Sequence, residues 1–169
     1  MDIKYLLEKA KELLEKEKGL MPVLFVETEK AISIIGLVGE FNKIDKRKMM
    51  IEAGKKFATE QPNNRIRSLS MVSEANVSKI NIKTNAVVKC EAIVIAKLNV
   101  IDNKKEIISQ DFERSYDDIT FKDVRYELNA QGTFLLEAFM KGYYQAIHIQ
   151  KNVNNSKTIK YKQQQNALN

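Results

Sequence analysis

Over residues 3–14 the apolar positions Ile3, Leu6, Leu7, Ala10, Leu13 and Leu14 recur at i, i+3, i+4, i+7, i+10 and i+11. That spacing marks one face of an amphipathic helix. Lysines and glutamates fill the other face, and Glu12 stands four residues ahead of Lys16, the arrangement of a helical ion pair. Gly19 predicts the C-terminal stop, and Pro22 prevents continuation.

The period then shortens. PVLFVET (22–28) and AISIIGL (31–37) are β-rich and separated only by Glu29 and Lys30, which predicts an antiparallel hairpin, since a parallel crossover needs a longer connection. A second helix is expected from Asp45 to about Gln61, where Pro62 ends it, with Met50, Ala53 and Phe57 as a narrow apolar stripe. IRSLSMVSEA (66–75) reads as a third strand that returns to water at Ser73 and Glu74, and SKINIKTNA (78–86) as a loop or frayed strand. VVKCEAIVIAKLNV (87–100) and EIISQDFERSY (106–116) form a long hairpin turning at Asp102 and Asn103.

Register follows from burial. Ala92, Val94, Ala96, Leu98 and Val100 alternate onto one face. A three-residue loop sets Leu98 opposite Ile108, Val94 opposite Phe112 and Ala92 opposite Arg114. A two-residue loop would instead bury Asp111 and Glu113, at a cost of several kcal/mol if they are unpaired. The three-residue loop is therefore expected, and it puts Glu91 and Arg114 on opposite faces.

The last helix starts near Thr133. Phe134, Leu135, Ala138, Phe139, Gly142, Tyr143, Ala146 and Ile147 make one stripe, and Leu136, Met140 and Tyr144 widen it. So broad an apolar face calls for two surfaces to pack on. The sheet is one; the first helix or another subunit is the other. Leu136, Met140 and Tyr144 are accordingly the expected oligomer interface. The fold class predicted is α+β: a mostly antiparallel sheet of about five strands with helices packed on it, in the order α-β-β-α-β-β-β-α. Residues 1–150 are expected to form a single α+β domain. Residues 151–169 are rich in Lys, Asn and Gln and read as a flexible extension.

A chain of 169 residues matches one domain on the usual prior of roughly 150. Its formal charge is +6, but residues 151–169 hold Lys151, Lys157, Lys160 and Lys162 and no acid, so the remainder carries about +2. A balance that close is not the one-sided basic surface of a phosphate-binding domain. A nucleic-acid contact would have to come from Lys46, Arg47, Lys48, Lys55 and Lys56 on the second helix, with Lys157, Lys160 and Lys162 in the tail. The charged N-terminus has no export-signal core, and no apolar run approaches the ~20 residues of a membrane helix. The expectation is a soluble cytoplasmic protein that does not enter membranes.

Catalytic sets are incomplete. His148 is the only histidine and Cys90 the only cysteine, which excludes an internal disulfide and a histidine-based zinc site within one chain. Cys90 lies beside Glu91, whose charge disfavours a thiolate. The acids of QDFERSYDDITFKD (110–123) are interleaved with Arg114 and Lys122 and read as a solvated sheet face. GLVGEFNK (36–43) has neither phosphate-loop spacing. No metal and no cofactor is expected.

The succession of LLEKAKELLEKEKGLMPVLFVET, SLSMVSEAN, KCEAIVIAKLNVIDNKKEI and FER resembles a group of small hypothetical microbial proteins. In that group a helix ending in Gly precedes a Pro-led strand, and a Glu-bearing strand hairpins back to an Arg. Asn76 replaces an aromatic residue of the pattern. The resemblance spans about residues 5–115 and implies one α+β domain, with no activity to carry over. The function expected is a non-enzymatic binding or assembly module, partnered by a second copy or another protein. The alternatives are a nucleic-acid accessory protein and a metal-dependent hydrolase built on the 111–123 acids.

Overall fold

The computed structural model describes residues 1–37, 43–80, 84–116, 118–128 and 131–166, with side chains left aside at 43–45, 79–80, 131 and 151–166. In chain order the elements are α1 (Ile3–Glu17), β1 (Val23–Thr28), β2 (Ile32–Gly36), α2 (Lys43–Glu60), β3 (Ile66–Ile80), β4 (Val87–Asn99), β5 (Lys105–Ser115), β6 (Asp118–Leu128), a 3-10 turn (Gln131–Thr133) and α3 (Phe134–Asn166). The protein is α+β, with one open antiparallel sheet of six strands ordered β2-β1-β3-β4-β5-β6. The expected element order holds, with β6 as the added strand. No helix among the described residues is long and apolar enough to cross a membrane. The chain falls into two compact units: Met1–Glu40 with Arg65–Leu136, and Phe41–Asn64 with Glu137–Asn169.

In the first unit α1 begins where Asp2 accepts a hydrogen bond from the Lys4 amide at 2.9 Å, an N-cap that satisfies one orphan donor. Its expected face is the buried one: Ile3, Leu6, Leu7, Ala10 and Leu14 sink against β3, β4 and β5. Each such leucine contributes roughly 1.5–3 kcal/mol. Leu13 is the exception and stays 45 % exposed. The helix ends at Glu17, two residues before the expected glycine, with Lys18 as its cap in the left-handed region at φ 55° and its amide bonded to the Leu14 carbonyl at 2.9 Å. Glu12 pairs with Lys9 at 2.6 Å, and Lys16 turns to Glu17.

The β4–β5 register departs from expectation. Ile95 faces Ile108, Ala92 faces Asp111, Glu91 faces Phe112 and Leu98 faces Lys105, and Asn99 donates to the Lys104 carbonyl at 2.9 Å to close the turn. Asn103 sits in the turn at φ 55°, as its sequence position suggests. This register buries Asp111, the outcome that looked too costly. The cost is avoided because Asp111 is not unpaired: Arg125 of β6 reaches it. β4 is buried on both faces, through Ile93 and Ile95 on the α1 side and Ala92, Ala96 and Leu98 on the other. β3 runs on to Ile80, through the first residues expected to be loop.

In the second unit α2 and α3 approach closely. A Cβ at Gly54 would overlap the Phe139 carbonyl, and one at Gly142 would overlap the Ile51 carbonyl. The absence of both side chains is what lets the two backbones touch. Phe57 packs on Phe139 and Tyr143 at ring separations of 6.0 and 6.4 Å. The Tyr143 hydroxyl donates to the Asn64 carbonyl at 2.8 Å. α3 continues as helix past residue 150 to Asn166.

Candidate functional site

The basic residues of α2 divide into two groups. Lys46, Arg47 and Lys48 are exposed. Lys55 is held by Glu52 at 2.6 Å and Lys56 by Glu60 at 3.7 Å, so part of the positive face is neutralised locally. Lys157, Lys160 and Lys162 lie on the α3 backbone, and their side chains fall outside the described residues. Of the expected interface residues, Leu136 and Met140 are already buried within the single chain, while Tyr144 is 50 % exposed. His148 is exposed.

The acids of 111–123 do not converge. Asp111 is bound by Arg125 at 2.5 Å, Glu113 by Lys122 at 3.0 Å, and Asp118 accepts from its neighbour's amide at Ile119. Residue 117 lies outside the described residues. Among the described residues no three His, Cys, Asp or Glu side chains gather as metal ligands would. Beside the Asp111–Arg125 pair a cleft of about 480 Å³ opens, walled by Val88, Cys90, Glu113 and Asp123. Its three carboxylates face two cations that are each already engaged. The Cys90 thiol donates to the Val77 carbonyl at 3.5 Å.

Glu74 lies inside β3, which runs on to Ile80, and does not end the strand as expected. On the α1 face Arg114 binds Glu74 at 2.5 Å and Glu91 at 3.2 Å, and also donates to the Lys18 carbonyl. Glu74 in turn accepts from the Leu20 amide at 3.3 Å. Glu91 and Arg114 thus share a face, contrary to the expected register. Partial burial works against the Arg114 charge, but Glu74 and then Glu91 outweigh it and raise the guanidinium pKa. All of its partners are structural: the cluster ties the end of α1 to the sheet and leaves no group poised as an acid, base or nucleophile.

The sheet ends differently at its two rims. At one, β6 carries Lys122, Asp123, Arg125 and Glu127 and an irregular register opposite Gln110–Phe112, features that discourage further strand pairing. At the other, β2 pairs with β1 in unbroken register, and the run 31–37 contains no charge and no proline. Ile32 is 51 % and Ile34 68 % exposed. Both share a face with Phe25, and among the described residues α1 packs chiefly over β3–β5 and not over this rim. A shallow apolar groove of about 100 Å³ between α1 and β1 extends the surface through Leu13, Met21 and Phe25. Met21 is 63 % exposed. This rim escaped sequence reasoning, although the uncharged AISIIGL run was the visible signal.

No family model, no curated protein and no solved structure matches the chain.

Proposed function

We propose that the protein is a non-enzymatic, cytoplasmic assembly module that self-associates. The observation that carries this reading is the β2 rim: a neutral strand with two exposed isoleucines, one side with no strand paired to it among the described residues and an adjoining apolar groove. Exposed apolar surface at an unprotected sheet edge is costly in water unless another chain covers it. The polar clusters support the same reading, because among the described residues Arg114, Arg125 and Lys122 are each paired with carboxylates. Light scattering over a hundredfold concentration range, at low and high salt, tests it. A dimer that persists at high salt is expected, since apolar burial and backbone bonds are not screened. A monomer at every concentration would overturn the reading.

Nucleic-acid binding is the second reading, carried by the exposed run Lys46, Arg47 and Lys48. It requires an affinity that falls steeply with salt. Metal-dependent hydrolysis has less to draw on, because Asp111 and Glu113 are engaged by Arg125 and Lys122.

A further inference from the structure

We infer that β2 is the seam of a homodimer in which two copies pair antiparallel about a two-fold axis through Ile34; this rests on the assembly reading and specifies its surface. The backbone shows which groups are offered. Thr28 donates to the Ala31 carbonyl and Leu37 to the Pro22 carbonyl, both at 2.9 Å. By alternation Ser33 and Ile35 also bond inward to β1, which turns the N–H and C=O of Ile32, Ile34 and Gly36 outward. Those same residues present their Cα substituents on the face shared with Phe25.

An antiparallel copy of this strand complements itself. With Ile34 on the axis, each Ile34 amide bonds the other Ile34 carbonyl, and Ile32 of one copy falls opposite Gly36 of the other. Gly36 has open space where a Cβ would be, so the branched Ile32 side chain has room to lie across the seam. Charge permits a second copy of the same chain at this strand. The two copies carry +6 each, and 31–37 is a stretch where they meet without bringing like charges together. A charged side chain of another partner would find no opposite charge within 31–37.

The test uses the full chain with Cys90→Ser, so that any thiol is the one introduced. Ile34→Cys is expected to form an intermolecular disulfide under mild oxidation, because facing residues of a hydrogen-bonded pair lie about 5.5 Å apart at Cα, within disulfide range. Ser33→Cys, whose backbone bonds inward and whose side chain lies on the other face, is expected to stay unlinked. Ile34→Pro removes only an outward amide and is tolerated by an edge strand. It should convert the dimer to a monomer with an unchanged circular dichroism spectrum, and Ile34→Lys should do the same should proline disturb folding. A dimer that persists in both variants and links no better at residue 34 than at 33 would overturn the β2 seam while leaving self-association standing. A parent chain that is monomeric throughout would overturn both.

Discussion

Asp111 and Arg125 meet across β5 and β6 at 2.5 Å, with the aspartate side chain 8 % exposed. A carboxylate this buried is tolerated because a guanidinium from the next strand supplies charge and a donor. Arg125→Met should therefore cost about 1–3 kcal/mol, the penalty for taking a charged donor away from a buried carboxylate. Combining it with Asp111→Leu should restore much of the loss, since a buried pair replaced by apolar groups is often near neutral. Urea unfolding of the two variants measures both. An unchanged midpoint for Arg125→Met would show that the pair does not hold the strand.

Gly142 offers a prediction in which two effects oppose. Glycine to alanine within an exposed helix gains about 1 kcal/mol of propensity. At Gly142 the new methyl meets the Ile51 carbonyl, which is backbone and cannot rotate aside. Overpacking of this kind costs about 1–3 kcal/mol, so Gly142→Ala should lower the melting temperature, and Gly54→Ala likewise against Phe139. A higher melting temperature in either variant would contradict the close backbone contact.

Tyr126 donates its hydroxyl to Glu106. The bond to the carboxylate, followed by burial and the Glu106 charge, pushes the phenol up to about 12. Glu106 is lowered in return, first by that hydroxyl and then by Lys104. Because the tyrosine is raised above its unfolded value near ~10, its stabilising contribution is whole below that pH and fades as pH rises towards 12. The depressed glutamate works at the opposite end: its contribution is present above the ordinary carboxylate pKa and is lost as pH falls through its lower folded value. Absorbance titration of the phenolates should show Tyr126→Phe deleting a transition near pH 12. Identical high-pH limbs in the two proteins would count against the bond.

The helices and the first hairpin were legible because their apolar periods run without interruption, as in Ile3 to Leu14. β6 was not, and the reason lies in its phase. Ile119 and Phe121 occupy one parity and Val124, Tyr126 and Leu128 the other, yet they pair with successive residues on the same face of β5. The irregularity at Lys122–Asp123 absorbs the change, and it breaks the alternation by which a strand is recognised in sequence. That single omission propagated. Without β6 there was no Arg125 for Asp111, a buried Asp111 looked prohibitive, and the hairpin register shifted so that Glu91 and Arg114 seemed to part. Arg114 was visible as a charge, but its role depends on three chain segments meeting, at Glu74, Glu91 and Lys18. Such convergence is a property of register, which no local pattern encodes.

The unlike rims of the sheet also bear on stoichiometry. A sheet with two adhesive rims has no natural end to its growth, since every addition exposes another site. Here the far rim, β6, has an irregular register and carries charged side chains between its exposed Val124, Tyr126 and Leu128, so in the dimer proposed above β2 would be the rim that each copy covers. The finite size of such an assembly would be written into the distal strand, the one that never touches the partner.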